Sequence, residues 1–448
     1  MLYLRGMNSF YSGCVTIISA LVLLLAVQCD SPADIQPPEI AVIQPEPGDS
    51  FNVYDTLLFS FHALTDYTLL QVNAVLVDDE GQSVIRLNVP LEGSSVSLDE
   101  IPMILSRKDL PTGMYDLEFT VTDTYGTAAV VVPVMIYALD LHTKNRYLIS
   151  HTSHNQTDIH ILQEDLTLTY AYSVQGDFGH AATDSQNNLL YTVGRYSGHL
   201  MCYSVEDKAI QWMVEAVVNP PFPFFSAAVL ASGWFWVALY QDNVFAYDHA
   251  GIEKFRTYLI HERYPEALYV TDRYLVAVER TKYQQKVVLT TWYANGGAFH
   301  DAVEMPYDSL LIIGHDHDVL YLSGYTQGQT TLFSRDILYN ENLPLGTYNK
   351  HFTSVCRGFP GTYFLVCREG VVRFSPPYTL VQVLSRPHIR SITFDHAENV
   401  LWLIAANQIE KYNAHTFLLE NSNTFDAIPD AILIMYNRNV FNIEKEQE

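Results

Sequence analysis

Between about residues 38 and 138, apolar and polar positions alternate in runs the length of single strands. Ile40-Ala41-Val42-Ile43, Leu57-Leu58-Phe59-Ser60-Phe61 and Val72-Asn73-Ala74-Val75-Leu76-Val77 are examples. A period of two buries one face of a strand and leaves the other wet. Asp78-Asp79-Glu80-Gly81 has the composition of a hairpin turn. Further on, Tyr115, Leu117, Phe119 and Val121 share one face. Thr124-Tyr125-Gly126 then turns, and Ala128 to Tyr137 runs back as a nearly all-apolar strand. About 100 residues with some seven strands predict a β-sandwich.

From about residue 145 a repeating phrase takes over. Asp184-Ser185-Gln186-Asn187-Asn188-Leu189-Leu190-Tyr191 matches Asp395-His396-Ala397-Glu398-Asn399-Val400-Leu401-Trp402 in residue type. The offset is 211 residues, or five steps of about 42. Six aromatics each close an apolar strand: Tyr203, Tyr247, Trp292, Phe333, Phe374 and Tyr412, spaced by 44, 45, 41, 41 and 38 residues. Two separate markers with one period of about 42 in strand-like sequence predict four-stranded propeller blades. Six blades fall at about 178–215, 225–258, 265–304, 308–347, 351–385 and 389–422. The flanks Tyr147–Ser173 and Ile428–Ile443 are each too short for a blade. Joined, they make a seventh and leave no open sheet edge. The expected architecture is all-β, a sandwich over 38–138 followed by a seven-bladed propeller over 140–448.

Composition narrows the function classes. Hydrophobic residues are an ordinary 48%, but charged residues are only 17%, against about 25% in a typical domain. Aromatics, with 30 Tyr and 22 Phe, fill part of the gap. Acids outnumber bases 50 to 25, for a net charge of −25. Nucleic-acid binding needs clustered Lys and Arg to displace counterions, so no nucleic-acid partner is expected. The same balance disfavours electrostatic docking on anionic lipid.

The N-terminus carries an address. Val15 to Val27 is an apolar run of 13 residues, short of the ~20 that cross a bilayer. Arg5 ahead of it and Cys29 two positions behind it complete the layout of a signal peptide. Leu25-Ala26-Val27-Gln28-Cys29 resembles a bacterial lipobox, in which the Cys is acylated and becomes the first mature residue. Gln28 departs from the small residue usual at that position, a looseness similar to that of Bacteroidota lipoproteins. The resemblance implies a signal peptide over 1–28, lipid on Cys29 and a Pro- and acid-rich tether over 29–37. It also implies attachment to the outer membrane, with the side left open. An uncleaved anchor, or secretion with Cys29 incidental, equally places the chain outside the cytoplasm.

Both halves resemble known modules. Gly113 to Gly126 is similar to the last hairpin of Ig-like and PKD-like domains, which puts Tyr115 where a tyrosine corner sits. The repeats lack a recurring WD dipeptide or kelch di-glycine and look most like YVTN and quinoprotein-like propellers of secreted bacterial proteins. That likeness covers about two-thirds of the chain, rests on architecture and carries over no functional residue. No cofactor constellation is recognisable, so no cofactor is expected.

Candidate chemistry is sparse. Asp78, Asp79, Glu80 and Asp123 are calcium-type ligands, but Asp and Gly are also what hairpins require. His315 and His317, two apart, lie on one side of an extended strand, a possible metal pair, though Gly314 to Asp318 also reads as a polar turn. Cys356 and Cys367 face each other if the turn between them is Gly361-Thr362, which allows a disulfide in an oxidising compartment. A turn at Pro360-Gly361 puts them out of register. Cys202 is left over. The link Asn219-Pro220-Pro221-Phe222-Pro223-Phe224-Phe225 joins two blades and offers a stiff aromatic loop. Phe222, Phe224 and Phe225, with Trp234 and Trp236 and with Tyr258 and Tyr264 nearby, form the expected ligand patch; the alternative is that these rings pack between blades. No nucleophile motif, phosphate loop or zinc signature occurs.

These observations favour a non-catalytic, lipid-anchored envelope protein whose propeller binds a glycan, peptide or protein partner. The alternatives are a propeller lyase or hydrolase with its site at the central channel, and an envelope assembly scaffold. The side chains at the channel mouth discriminate: acids and His for the enzyme, exposed aromatics for the binder.

Overall fold

The computed structural model describes residues 36–438 except 79–80, 108–109, 154, 218–221, 241–242, 259–261 and 378. Cys29 and the tether up to residue 35 therefore lie outside the described residues, as do Asp79, Glu80 and residues 219–221 of the Phe-Pro link. Among the described residues all regular structure is β. The chain divides into two compact units, Met1–Leu139 and Asp140–Glu448.

The first unit holds two sheets. One has the spatial order Glu39–Gln44, Thr56–Leu64, Ser95–Ile104. The other runs Ser50–Asn52, Thr127–Tyr137, Gly113–Asp123, Leu69–Val77, Ser83–Pro90, with Ser50–Asn52 parallel to its neighbour. Their inner faces share one core. Phe59 meets Phe119 edge-on at 5.2 Å, and Tyr115, Leu117, Phe119 and Val121 are all buried while Met114, Asp116 and Glu118 are exposed. The period-two pattern thus produces the two-layer packing directly. The Tyr115 hydroxyl donates to the Pro111 carbonyl at 3.0 Å, tying the strand to the turn before it.

The two described calcium candidates, Asp78 and Asp123, lie in separate turns. Asp78 Oδ1 accepts the Gln82 N–H at 2.7 Å in the hairpin after Leu69–Val77. Asp123 accepts the N–H groups of Tyr125 and Gly126, each at 2.7 Å, and the Thr65 hydroxyl at 2.5 Å. That hydroxyl and the two N–H groups hold the Asp123 carboxyl below the ordinary carboxylate range against the opposing effect of burial. Leu69 pairs with Asp123 and Val77 with Asp116, so Asp78 and Asp123 sit at opposite ends of their strand pair.

The second unit is a β-propeller built, among the described residues, from seven four-stranded antiparallel sheets. Six are sequence-continuous. In the remaining one, Ile428–Tyr436 pairs with Thr143–Ser153, which continues to Gln156–Leu162 and Leu168–Gln175. The two short flanks therefore do join. Most neighbouring innermost strands pack side by side in chain order, and Ile428–Tyr436 lies between Ile389–Asp395 and His180–Asp184.

Burial explains why alternation gives way to continuous apolar runs here. A strand held between two neighbouring sheets is covered on both faces. Leu189–Val193, Tyr363–Cys367 and Val400–Ala405 are buried at every position, whereas the outermost strand Leu419–Thr424 is exposed throughout. The two repeat markers also have physical roles. Asp184 and Asp395 are buried, and each caps the following turn by accepting two N–H groups, from Gln186 and Asn187 and from Ala397 and Glu398. Asn188 and Asn399 then both take φ of 54°, the left-handed region Asn tolerates. Five of the six marker aromatics, Tyr203, Tyr247, Trp292, Phe333 and Tyr412, sit at the bulge between third and fourth strands. A bulge raises local twist.

The cysteine pair is a correction. Cys356 stands opposite Phe364, and Phe352 stands opposite Cys367. The turn centres on Pro360, closed by Thr362 N–H to the Phe359 carbonyl at 2.8 Å. Cys356 packs beside Phe364 and Phe394 on one side of the sheet, and Cys367 joins Leu365 on the other. Cys202, Cys356 and Cys367 are free thiols. Burial pushes the Cys202 and Cys356 thiols up, to about 12 for Cys202, so neither is a thiolate at neutral pH.

Candidate functional site: an aromatic mouth over the propeller channel

Five of the innermost strands, His180–Asp184, Phe225–Ala231, Phe352–Arg357, Ile389–Asp395 and Ile428–Tyr436, contribute to a channel cavity of about 470 Å³. Its wall is largely aliphatic, with Ala228, Val229, Ile392 and Ile432 among the contributors. Polar groups gather where the strands end: Arg357, His396 and Tyr436. The wall contains no carboxylate among the described residues. Burial, then the Arg357 charge, pushes His396 down to about 4, so its imidazole is neutral at pH 7.

Where the strands begin, a second cavity of about 450 Å³ forms a mouth. Three segments build it. The first is the turn Gly194-Arg195-Tyr196-Ser197-Gly198 between the strands Leu189–Val193 and Leu200–Ser204. Asp177 organises it: the carboxylate accepts N–H groups from Arg195, Tyr196, Ser197 and Gly198 at 2.7–3.2 Å. It also accepts the Ser197 hydroxyl at 3.1 Å. Burial pushes this carboxyl up, but the donors more than offset it and hold it below the ordinary range. The second segment is the end of the Phe-Pro link. Phe224 N–H donates to the Arg195 carbonyl at 2.8 Å, and the Phe224 carbonyl accepts Tyr240 N–H at 2.9 Å, which pins the turn to the next sheet. The third is Tyr264-Pro265-Glu266, from the sheet after that.

The rings make one wall. Phe222 stacks on Tyr240 at 5.4 Å and 21°, and Tyr240 lies 4.6 Å from Tyr264. Phe222 is 47% exposed, so its outer face is free. Arg195 lies over the Tyr196 ring at 5.7 Å, and Lys282 over Tyr240 at 5.6 Å. Glu266 is gripped by Arg280 through two bonds of 2.7 and 2.9 Å. His180 lines both cavities. Burial, then the Arg195 charge, pushes it down to about 4, leaving a neutral imidazole between mouth and channel.

The structure brings only some residues of the expected patch together. Phe222 reaches the mouth, with Tyr264. Phe224 serves through its backbone and packs edge-on against Phe225 at 4.7 Å. Phe225 and Trp236 are each 1% exposed and belong to the core between sheets. Trp234 packs on Trp236 at 5.8 Å, at the far end of the strand Trp234–Leu239 from Tyr240. The side chain of Tyr258 lies outside the described residues. Arg195, Tyr196 and Tyr240 were missed; the signal was a Gly-flanked turn with an Arg-Tyr pair. His315 and His317 diverge: His315 Nδ1 meets the Tyr269 hydroxyl at 2.8 Å, while the His317 side chain is 96% exposed at the turn. Among the described residues no group of three His, Cys, Asp or Glu is placed to hold a metal.

No family model matches the chain, and no curated protein does. Solved structures do. A quinoprotein alcohol dehydrogenase-like protein from Bacteroides thetaiotaomicron is similar over 88% of this chain and 99% of its own, with 9% identity and a TM-score of 0.46. Dihydro-heme d1 dehydrogenase NirN is similar over 74% of each chain, at 13% identity and a TM-score of 0.45. The computationally designed protein Ika8 is similar over 65% of this chain and 90% of its own, at 13% identity and a TM-score of 0.45. At such identities the likeness concerns fold alone.

The Asp177 cage yields a direct prediction. A Cβ on Gly198 meets the Asp177 carbonyl oxygen at 2.4 Å and Gly194 Cα at 2.7 Å, both backbone atoms. Gly198→Ala is expected to displace the 194–198 turn and cost about 2 kcal/mol or more. Urea melts of this variant read the cost. An unchanged midpoint means the turn yields freely and does not fix the mouth.

Proposed function

We propose that this chain is a non-catalytic, lipid-anchored envelope protein in which an Ig-like sandwich precedes a closed seven-bladed β-propeller. The propeller mouth binds a glycan. Acylated Cys29 holds the chain to the bilayer, in the outer membrane. The observation that carries the binding reading is the continuous ring wall of Phe222, Tyr240 and Tyr264 around the mouth. A sugar ring presents an apolar C–H face that rests on such rings, while its hydroxyls reach Arg195, Glu266 and the tyrosine hydroxyls at the edge. Aromatics anchored in a concave site dominate binding energies of this kind.

Support for the sandwich comes from the Tyr115 hydroxyl bond and the two-sheet core. Support for the seven blades comes from the joined flank sheet. The enzyme alternative asks for carboxylates in the channel, where the wall supplies neutral imidazole and Arg357.

The test is a glycan and peptide array with the detergent-solubilised full chain, followed by titration of the best hits. Phe222→Ala and Tyr240→Ala are each expected to weaken glycan binding about tenfold or more, and Phe222→Ala to leave the unfolding midpoint in place. Hits restricted to peptides, or glycan affinity indifferent to both substitutions, overturn this reading.

A further inference from the structure

We propose that the saccharide held at the mouth is acidic, with a ring carboxylate that pairs with Arg195. This rests on the glycan reading above and names the chemistry of its ligand.

The chain carries twice as many acids as bases, and several of its arginines are held by carboxylates. Arg146, Arg256, Arg335 and Arg386 each bind a carboxylate. The mouth is different. Arg195 lines it, and Arg280 and Lys282 lie against its residues Glu266 and Tyr240. Arg280 is bound to Glu266, and Arg263 faces Glu279 at 3.7 Å. Arg195 and Lys282 have no carboxylate partner among the described residues; Arg195 lies over the Tyr196 ring and Lys282 over Tyr240 of the ring wall. Arg195 is exposed, yet its backbone is held on two sides, by Asp177 and by Phe224. An unpaired guanidinium on a fixed turn, beside rings suited to a sugar, is a preorganised carboxylate receptor: its planar fork matches the two oxygens. Burial keeps the neighbouring Tyr240 and Tyr264 phenols protonated, as hydrogen-bond donors to the same sugar. Neutral His180 underneath adds no charge that competes with the ligand. In a protein of net charge −25, an acidic polymer is repelled from most of the surface and received here, which favours specificity over raw affinity.

The experiment titrates the detergent-solubilised full chain with oligosaccharides of galacturonate, mannuronate and glucuronate. Each is measured beside its methyl ester and a sulfated neutral oligosaccharide, at low and high salt. One uronate is expected to bind at least tenfold tighter than its ester, with the gap narrowing as salt rises. Arg195→Gln is expected to weaken the uronate far more than the ester and so erase the gap, and Arg195→Lys to restore part of it. An acid and ester of equal affinity, a preference that survives Arg195→Gln, or a sulfated sugar bound as tightly as the uronate overturns the inference. If neutral glycans bind through Phe222 and no uronate is preferred, the inference fails and the glycan reading stands. If no saccharide binds in any arm, both fail.

Discussion

Ending the chain at Asp426, so that Ile428–Tyr436 is lost, is expected to leave residues 140–426 without a cooperative unfolding transition. That strand is the innermost of its sheet, and its side chains Ile432, Ile434, Met435 and Tyr436 are all buried. Burying four such side chains is worth roughly 6–12 kcal/mol. Whole domains are stable by only about 5–15 kcal/mol. Removal also frees the backbone edge of Thr143–Ser153 and uncovers the strands His180–Asp184 and Ile389–Asp395 beside it. Urea titration followed by Trp emission reads the outcome. A sigmoidal transition with the parent slope means the remaining sheets hold themselves together, and sinks the idea that the last strand closes the unit.

Arg146→Ala is the second large effect, expected at about 3–5 kcal/mol. Arg146 lies in the closing sheet and reaches across to the next one. It contacts Asp395 at 3.2 Å, pairs with Glu398, and covers the Trp402 ring at 5.4 Å. Asp395 is fully buried, so removing the guanidinium strands a charge that two turn N–H groups and the Thr143 hydroxyl only partly satisfy. The double variant Arg146→Met with Asp395→Asn removes both charges and is expected to recover part of the loss. Chemical denaturation of the two variants decides it. A single variant within about 0.5 kcal/mol of the parent removes this pair from the account of closure.

The repeat was legible because its markers are the residues that make the geometry. Asp184 and Asp395 cap turns, and Tyr203 through Tyr412 stand at third strands, so the spacing survives in the letters. The joining of the flanks was legible for a different reason: each was too short to satisfy its own edges. The mouth was not legible. Arg195 and Tyr196, Phe222 and Tyr240, and Tyr264 come from separate segments, and only the ring of sheets brings them together. The apolar richness around Phe225 and Trp236 misled because composition does not separate a ring between two sheets from a ring on a rim. The cysteine register failed on the turn: pairing sums depend on its centre, and a shift from Gly361-Thr362 to Pro360 moves the partner of Cys356 from Cys367 to Phe364.

The joined flank sheet also sets the order in which the propeller can be assembled. Thr143 pairs with Tyr436, so the strands at the front of this unit find their innermost partner only at its far end. Contacts of that sequence separation slow folding, because loop-closure entropy is lost before any pairing energy returns. During synthesis the three strands from Thr143 to Gln175 precede the six sequence-continuous sheets and have one edge unpaired until the last strand is made. Completion is therefore a late, all-at-once event. The waiting edge is the point at which a second, equally unfinished chain competes for the same pairing.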